Sequence, residues 1–399
     1  LYPYVYLLAR AAFRMQAAAP FYAARSLGST PVSCFLRVSL PMARPAIAAG
    51  VLLVVMETIA DFGTVAHFSV QTFATGIYTS WFSLADRGAA AQLALGLLVF
   101  AFLVAALEYH NRGAATFATK GRQEPFPRMQ LKPKHAFGAQ VICGLPVLLG
   151  VIIPTVALFA MSLNSEQNIF SARYVGFIQT SLLLASVAAL VTVTAAVLLG
   201  TFKRISPNRL SAGSLSIGRL GYAVPGGVIA VGLLVPFAGL DNWIDARMEA
   251  WFGISTGLLI TGSIWLMIAA YMIRFLAAAI GAYDSGLATV TPNIDAAARV
   301  LGRTDWGTVR QVHLPILKPS ILTALLIVFV DTIKELPATL ILRPFNYDTL
   351  AVQAFRLASD ERLEGAAVPS LMIAGLGLIP VIFLCAQIGG WRQRETQPA

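Results

Sequence analysis

Charge is what this 399-residue sequence has least of. Only 12% of it is Asp, Glu, Lys or Arg, against 57% hydrophobic residues. A soluble globular domain carries about 25% charged residues, so a water-facing fold around one core is excluded and lipid must be the solvent for much of the chain. Cysteine is almost as scarce. Cys34, Cys143 and Cys385 stand far apart, with no CxxC and no metal-ligand spacing, and read as small apolar packing residues. The four histidines, His67, His110, His135 and His313, show no ligand spacing either. No G-x-x-x-x-G-K-[ST] run is present to cradle ATP phosphates. No G-x-S-x-G or H-E-x-x-H site is present. The chain is therefore expected to be no enzyme and to bind no cofactor of its own, and any energy for work must come from a partner.

Acidic residues are scarcer than basic ones, 19 against 29, for a formal charge of +10. In a soluble protein that surplus would suggest nucleic acid. In a chain this apolar it marks cytoplasmic loops obeying the positive-inside rule, and no nucleic-acid partner is expected. Apolar runs near residues 46–66, 89–107, 138–162, 177–201, 217–238, 255–280, 318–340 and 367–388 are each about long enough to cross a bilayer as a helix. The basic clusters fall in alternate connections: Arg25, Arg37 and Arg44; Arg112 to Lys134; Lys203, Arg204 and Arg209; Arg299 to Lys318; and Arg392 with Arg394. If every run crosses once, all of them face one side, and the C-terminus is cytoplasmic.

Residues 108–137 read as a cytoplasmic linker, with Pro125, Pro127 and Pro133, many charges and no apolar period. The chain opens on Leu1 in mid-pattern, and Leu1 to Phe13 is apolar but too short to span.

An internal repeat organises the rest. Residues 23–63 align with 297–337 without a gap, "AARSLGSTPVSCFLRVSLPMARPAI" lying over "AARVLGRTDWGTVRQVHLPILKPSI". Glu57 falls on Asp331 and Asp61 on Glu335. The chain is a tandem duplication. The second copy has four spans before the repeated loop and two after it, whereas the first has only the loop and two spans. The expectation is a first unit at 1–107 cut short at its N-terminus, the linker, and a complete unit at 138–399.

The repeated loop, 20–45 and 293–319, reads as helix, glycine, helix. Gly28 suits the position after a helix where φ turns positive. Thr30 can cap the next helix with Pro31 at its first position, and Thr304 takes the same place in the second copy. Val32, Phe35 and Val38, like Trp306, Val309 and Val312, recur every third residue and predict one apolar stripe. Leu40-Pro41 and Leu314-Pro315 are expected to end the short helix, because the residue before proline is pushed out of the α region.

This pattern resembles the EAA loop of ABC importer permeases: EAA, three residues, Gly, and a spacer ending in hydrophobic-Pro. Ala23, Ala24, Gly28, Leu40 and Pro41 match in the first copy, and Ala297, Ala298, Gly302, Leu314 and Pro315 in the second. The Glu position holds Tyr22 and Ala296, with Asp295 one residue before the latter. The resemblance implies an all-α polytopic membrane protein made of two tandem six-helix-type permease units, multi-pass in a bacterial inner membrane. It also implies a cytoplasmic ABC ATPase, acting as a dimer and carrying the ATP and Mg, into which these short helices dock. A periplasmic substrate-binding protein would deliver cargo. Stretches such as Met56 to Leu95, Gly221 to Pro236 and Lys334 to Val352 resemble fused ferric-iron permeases. Thiamine, polyamine and phosphonate permeases share these motifs in part. A gradient-driven transporter would have no use for the duplicated loop.

Ionisable residues inside apolar spans are costly, about 2.5–3.5 kcal/mol each at a helix centre. Glu57 with Asp61, and Asp331 with Glu335, are four apart and are expected to share a helix face. Two readings stand: the carboxylates line a path for a hard trivalent cation, or Lys334 neutralises its neighbours in a structural role. Pro225 with Gly226 and Gly227 predicts a broken span, which is tolerated where it lines a cavity. In the loop after the first full span, Trp81 is a candidate contact for the binding protein.

Overall fold

The computed structural model describes residues 1–16, 18–112, 132–221 and 224–395, so most of the expected linker lies outside the described residues. Those residues are helical throughout, with no strand. In chain order the helices are α1 Tyr2–Met15, α2 Ala19–Ser26, α3 Pro31–Cys34, α4 Leu40–Ile59, α5 Gly63–His67, α6 Phe73–Phe82 and α7 Arg87–Arg112. There follow α8 Pro133–Val147, α9 Ile153–Leu163, α10 Ala172–Ile205, α11 Arg209–Leu220, α12 Gly226–Phe252 and α13 Ile264–Leu287. The last six are α14 Pro292–Val300, α15 Asp305–Thr308, α16 Leu314–Ile333, α17 Pro337–Leu342, α18 Leu350–Ser359 and α19 Leu363–Glu395.

Among the described residues, eight continuous helices are long and apolar enough to cross a membrane: 31–59, 87–104, 133–163, 172–205, 226–252, 264–287, 305–333 and 363–382. Each apolar run of the sequence finds one of them. Three are longer than their runs because α-helix continues through a π turn. These turns are Phe35–Ser39, Leu148–Ile152 and Val309–His313, and each ends two residues before a proline: Pro41, Pro154 and Pro315. A proline inside an α-helix has no N–H to give, and its ring collides with the carbonyl four residues back. Winding the preceding turn one residue wider moves that carbonyl away. Leu40 N–H accordingly bonds Phe35 O, and Leu314 N–H bonds Val309 O, five residues back. The expectation that Leu40-Pro41 and Leu314-Pro315 end their helices is thus corrected: the short coupling helix runs on into the span.

Contacts gather the chain into two compact units, one formed by 1–61 with 96–153 and the other by 62–95 with 154–399. In the first, α1 packs along α4. Phe13 stacks beside Phe35 with ring centroids 5.7 Å apart. In the second, α10, α13 and α16 build the core from Leu184, Val193, Met267, Tyr271, Phe275 and Val328. Small residues on α10 (Ala185, Ala188, Ala189, Ala196) are buried and let the helices approach closely, as expected where lipid supplies no hydrophobic drive between helices.

The duplication is written in the backbone beyond the aligned stretch. Among the described residues the non-glycine positions with positive φ are Ser69, Ala85, Asn346 and Glu361. They fall as two matched pairs. Ser69 and Asn346 each precede a ten-residue helix, α6 and α18, and Ala85 and Glu361 each follow it. Both helices begin on a threonine cap, Thr72 Oγ1 accepting from Thr75 N and Thr349 Oγ1 from Val352 N, each at 3.3 Å.

The run at 217–238 is not one helix: α11 ends at Leu220 and α12 starts at Gly226 after Pro225, and α12 alone forms the continuous span 226–252, with Gly226 and Gly227 in its first turn where a break was expected. α11 lies along the C-terminal half of α13, with Gly218 against Leu276 and Ile280 and Arg219 paired to Asp284. The chain then turns at Gly221, where a Cβ would collide with the Ile273 carbonyl oxygen. α12 restarts on Pro225 as its N-cap and follows the N-terminal half of α13. Its far end is fixed by two aspartates four apart. Asp241, fully buried, accepts from Ile260 N at 3.0 Å, Thr261 N at 2.8 Å and Thr261 Oγ1 at 2.6 Å. Asp245 accepts from Thr256 N at 2.7 Å and Gly257 N at 2.9 Å. Asp241→Ala orphans half-buried donors, each costing up to about 1–3 kcal/mol. The purified variant in detergent is expected to melt at a clearly lower temperature than the parent; an unchanged midpoint would show that Asp241 does not hold this loop.

Candidate functional site

The two copies of the glycine loop have the same hydrogen bonds. In the first, Leu27 N bonds Ala23 O at 3.1 Å, Gly28 N bonds Arg25 O at 3.0 Å and Ser29 N bonds Ala24 O at 3.1 Å. In the second, Leu301 N bonds Ala297 O at 3.1 Å, Gly302 N bonds Arg299 O at 2.9 Å and Arg303 N bonds Ala298 O at 3.0 Å. This is the Schellman arrangement, whose left-handed residue is a glycine. Gly28 has φ +86 and Gly302 φ +73, with open space where a Cβ would stand, so backbone conformation alone demands glycine here. The next helix starts as read from sequence. Thr30 Oγ1 accepts from Ser33 N at 3.3 Å and Thr304 Oγ1 from Gly307 N at 3.1 Å. Ala23, Ala24, Ala297 and Ala298 therefore contribute carbonyls to the turn; Ala23 and Ala297 are exposed, Ala24 is half-buried and Ala298 is buried.

The predicted apolar stripes do not behave as single faces. Val32, Phe35 and Trp306 are exposed, Val38 and Val312 are half-buried, and Val309 is buried. The π turn inserts a residue into the register and turns the face away from its period-three course. The turn presents Leu27, 86% exposed, and Leu301, 80% exposed, beside the two glycines. Leu40 and Leu314 are half-buried and Pro41 and Pro315 exposed where the coupling helices join their spans.

Each loop is tied to its own unit differently. In the first, Gln16 Nε2 donates to Ser39 O at 2.8 Å. In the second, Asp295 accepts from Arg204 Nε at 2.8 Å and bonds His313 Nε2 at 2.7 Å, while Arg204 Nη2 also donates to Val290 O at 2.9 Å. The Asp295 carboxylate thus points inward to α10 and to the π turn, and it does not stand in for the missing Glu of the motif on the outer side. Burial pushes its carboxyl up, but the hydrogen bonds from His313 and Arg204 and the Arg204 charge outweigh that and hold it below the ordinary carboxylate range. A depressed carboxyl stabilises the fold above its unfolded pKa, and that contribution is lost as pH falls through the folded value. Hydrogen-exchange protection of α14 amides should therefore persist on acidification to about pH 3.9, the ordinary Asp value, and fall only below it. Asp295→Asn is expected to lower that protection at neutral pH; equal protection in variant and parent would show that the tie carries no weight.

The acids inside the spans separate into different environments. α4 ends at Ile59 and α16 at Ile333, so Asp61 and Glu335 lie beyond their helices and do not share a face with Glu57 and Asp331. A chain turn follows in each copy, before Gly63 and before Pro337, and breaks the helical spacing. Glu57 and Asp61 are half-buried. Asp331 pairs with Lys334 at 3.0 Å, as the spacing of three suggested. Glu335, 5% exposed, instead faces Arg274 Nε at 3.4 Å and accepts from Ala338 N at 3.2 Å. Sequence reading missed Arg274, a lone cation in the middle of an apolar run, where position gives no hint of its partner. Losing one member of a buried pair costs about 3–5 kcal/mol. Among the described residues no group of three or more His, Cys, Asp or Glu is placed to hold a metal ion.

Trp81 is half-buried, with the Arg87 guanidinium 6.0 Å from its ring centroid. Phe82 and Leu84 beside it are exposed. On the same helix Tyr78 packs with Phe62 and Phe355, centroids 4.8 and 6.4 Å away, at the wall of a cleft of about 770 Å³. A second cleft, of about 500 Å³, joins the end of α9 to the start of α19 and is lined by Glu166, Glu361, Glu364 and Arg362.

Residues 192–388 match the family described as binding-protein-dependent transport system inner membrane component. The Fe(3+)-transport system permease protein FbpB 2 of Haemophilus influenzae is 27% identical over 90% of this chain and 69% of its own length. A Salmonella typhimurium permease named for 2-aminoethylphosphonate transport is 27% identical over 38% of this chain and 52% of its own length. In structure, a chain of a bacterial ABC transporter involved in import of the acidic polysaccharide alginate superposes with a TM-score of 0.50 at 18% identity, covering 66% of this chain and 96% of that one. That likeness is one of fold. The second glycine-turned loop and the span that follows it lie inside the matched segment, so residues 192–388 are the part of the chain that the binding-protein-dependent transport permease family covers.

Proposed function

We propose that this chain is the membrane-spanning permease subunit of an ATP-driven ABC importer that passes ferric iron from a periplasmic binding protein to the cytoplasm. The observation that carries the coupling role is the identical backbone of the two glycine loops, each running without interruption into a span. Ala23, Ala24, Gly28, Leu40 and Pro41, with Ala297, Ala298, Gly302, Leu314 and Pro315, are the coupling residues of this reading. The exposed Leu27 and Leu301 offer apolar knobs for a groove on a dimeric cytoplasmic ATPase, in the manner of helix-in-groove recognition. That partner carries the ATP and Mg; this chain contributes no catalytic group. The reading places the loops and the C-terminus in the cytoplasm and divides the chain at the 108–137 linker into a first permease unit, 1–107, and a second, 138–399.

The cargo assignment rests on the relative named for Fe(3+) transport and on carboxylates. Glu166, Glu361 and Glu364 line one cleft, and oxygen ligands suit a hard cation. Glu57, Asp61 and Asp331 are assigned to the translocation path, while the Glu335 carboxylate is engaged by Arg274. Trp81, with the exposed Phe82 and Leu84, is assigned to the binding-protein contact. The second reading is a phosphonate or organic-cation permease. The relative named for 2-aminoethylphosphonate and the aromatic wall of Phe62, Tyr78 and Phe355 favour it.

The test is uptake into cells carrying the complete transporter, with radiolabelled ferric iron, thiamine and 2-aminoethylphosphonate measured in parallel. Iron is expected to accumulate; uptake of another cargo without iron would overturn the assignment. Gly28→Val or Gly302→Val forces a β-branched residue into positive φ, costing about 1–2 kcal/mol at the turn. Each is expected to weaken co-purification of the ATPase and to cut uptake while membrane insertion persists. Unchanged uptake in both variants would remove the coupling role. Asp61→Asn should reduce iron uptake with assembly intact, and normal iron flux would show that the carboxylate is not on the path.

A further inference from the structure

The far end of α12 carries a face that neither the coupling loops nor the clefts involve. Trp243, Arg247 and Trp251 are spaced four residues apart and share one side of the helix. The Arg247 guanidinium carbon lies 5.0 Å from the Trp243 ring centroid and 5.6 Å from that of Trp251. All three residues are exposed. Their face continues the exposed side of the span itself, where Val235, Pro236, Gly239 and Leu240 precede Trp243 at helical spacing. Arg247 is the one cation in the sequence between Arg219 and Arg274.

The acids near Arg247 are engaged elsewhere. Asp241 and Asp245 collect amides of the loop that follows, and Glu249, two residues from Arg247, lies on the other side of the helix. Among the described residues no carboxylate pairs with Arg247. Its charge is screened on two sides by indole rings through cation–π attraction, and its fork of N–H donors is left for an oxyanion. Depth selects which oxyanion. Asp241 ends the charge-free stretch of α12 that begins at Gly226, and it is bonded to Ile260 and Thr261 just ahead of α13. The first turn of α13 carries the exposed Trp265. Trp243 and Trp265 thus mark the same edge of the apolar zone, where interfacial tryptophans gather. Arg247, four residues beyond Trp243, stands about 6 Å further out. The headgroup layer on each side of a bilayer is about 5–8 Å deep, and phosphate lies within it. Trp251, about 12 Å from Trp243 along the helix, covers the guanidinium from the water side.

We propose that Trp243, Arg247 and Trp251 form a phospholipid site. Arg247 donates to the phosphodiester oxygens of one headgroup, the indoles flank it, and the acyl chains lie along the exposed face from Val235 to Leu240. The site needs only that α12 crosses the bilayer. The permease reading above adds that the leaflet is the outer one, because the second coupling loop follows the opposite end of α13.

The experiment uses the complete transporter in nanodiscs that hold a trace of phosphatidylglycerol with a photoactivatable diazirine on its headgroup. Cross-linked peptides are mapped, and label on 243–251 is read relative to label on the first turn of α13. In the parent, label should concentrate on 243–251. Arg247→Gln should lower it at least about tenfold, the weight of one charge-assisted hydrogen bond, with the melting midpoint unchanged. Arg247→Lys keeps the charge without the planar fork and should fall between the two. Unlabelled phosphatidylglycerol should compete for the site. Dioleoylglycerol, which lacks the phosphate, and inorganic phosphate at the same concentration should not. Equal labelling of parent and Arg247→Gln overturns the lipid site, and so does competition by inorganic phosphate, which would mark a site for free anions. An Arg247→Gln variant that keeps its lipid label but captures loaded binding protein more weakly also overturns it, and makes the face a protein contact. Should Arg247→Gln fail to assemble, Trp243→Leu with Trp251→Leu decides, since it keeps the cation and apolar bulk and removes the ring faces. Its label should fall about threefold, and an unchanged label overturns the site. A complex that no ATPase drives defeats the permease reading instead and leaves the comparison of labels intact.

Discussion

Within hydrocarbon no water satisfies a backbone N–H or carbonyl, so each such group must find its partner inside the protein. That constraint bears on several irregularities of this chain. Prolines at 41, 154 and 315 would orphan carbonyls and clash in a regular helix. Each is preceded by a five-residue π turn that keeps the helix continuous. Between α11 and α12, Gly221 lies with its backbone against the Ile273 carbonyl in the middle of α13. At the far end of α12, two carboxylates collect the amides of 256, 257, 260 and 261, where the chain leaves helix altogether.

Helix placement was legible because long apolar runs have few alternatives in lipid, and all eight coincide with helices. The glycine turn and threonine caps were legible because each depends on one residue's chemistry: a positive φ at Gly28 and Gly302, and an oxygen at Thr30 and Thr304. What escaped reading depends on contacts distant in sequence. A Leu-Pro step reads as a helix end, and only the neighbouring turn can convert it into a continuous π-bulged helix. Acids four apart read as one face, and only the position of the helix end separates Glu335 from Asp331. Arg274 lies 61 positions from its partner, and no local pattern couples them. Asp295 was noticed for its place in the motif, yet its partners Arg204 and His313 come from a helix 91 residues earlier and a turn 18 residues later.

The internal repeat separates what the loop must be from how it is mounted. Between the copies some side chains beside the turn differ, Ser29 against Arg303, Pro31 against Asp305 and Phe35 against Val309, while Arg25, Leu27 and Val38 recur as Arg299, Leu301 and Val312. The hydrogen bonds of the turn, the sign of φ at its glycine, the threonine cap, the π turn and the proline after it are the same in both. The ties that fasten each loop are not. One is a neutral amide bond from Gln16 to the Ser39 carbonyl, and the other is a charged cluster of Arg204, Asp295 and His313. A loop that only anchored the chain to headgroups would depend on its apolar and basic side chains, and some of these are not kept, Arg37 standing against Gln311 and Phe35 against Val309. A loop that must fit a fixed groove depends on its backbone shape, with Leu27 and Leu301 carried at the same point of it. The retained shape and the divergent fastenings therefore favour a surface read by a partner over one that merely rests on lipid.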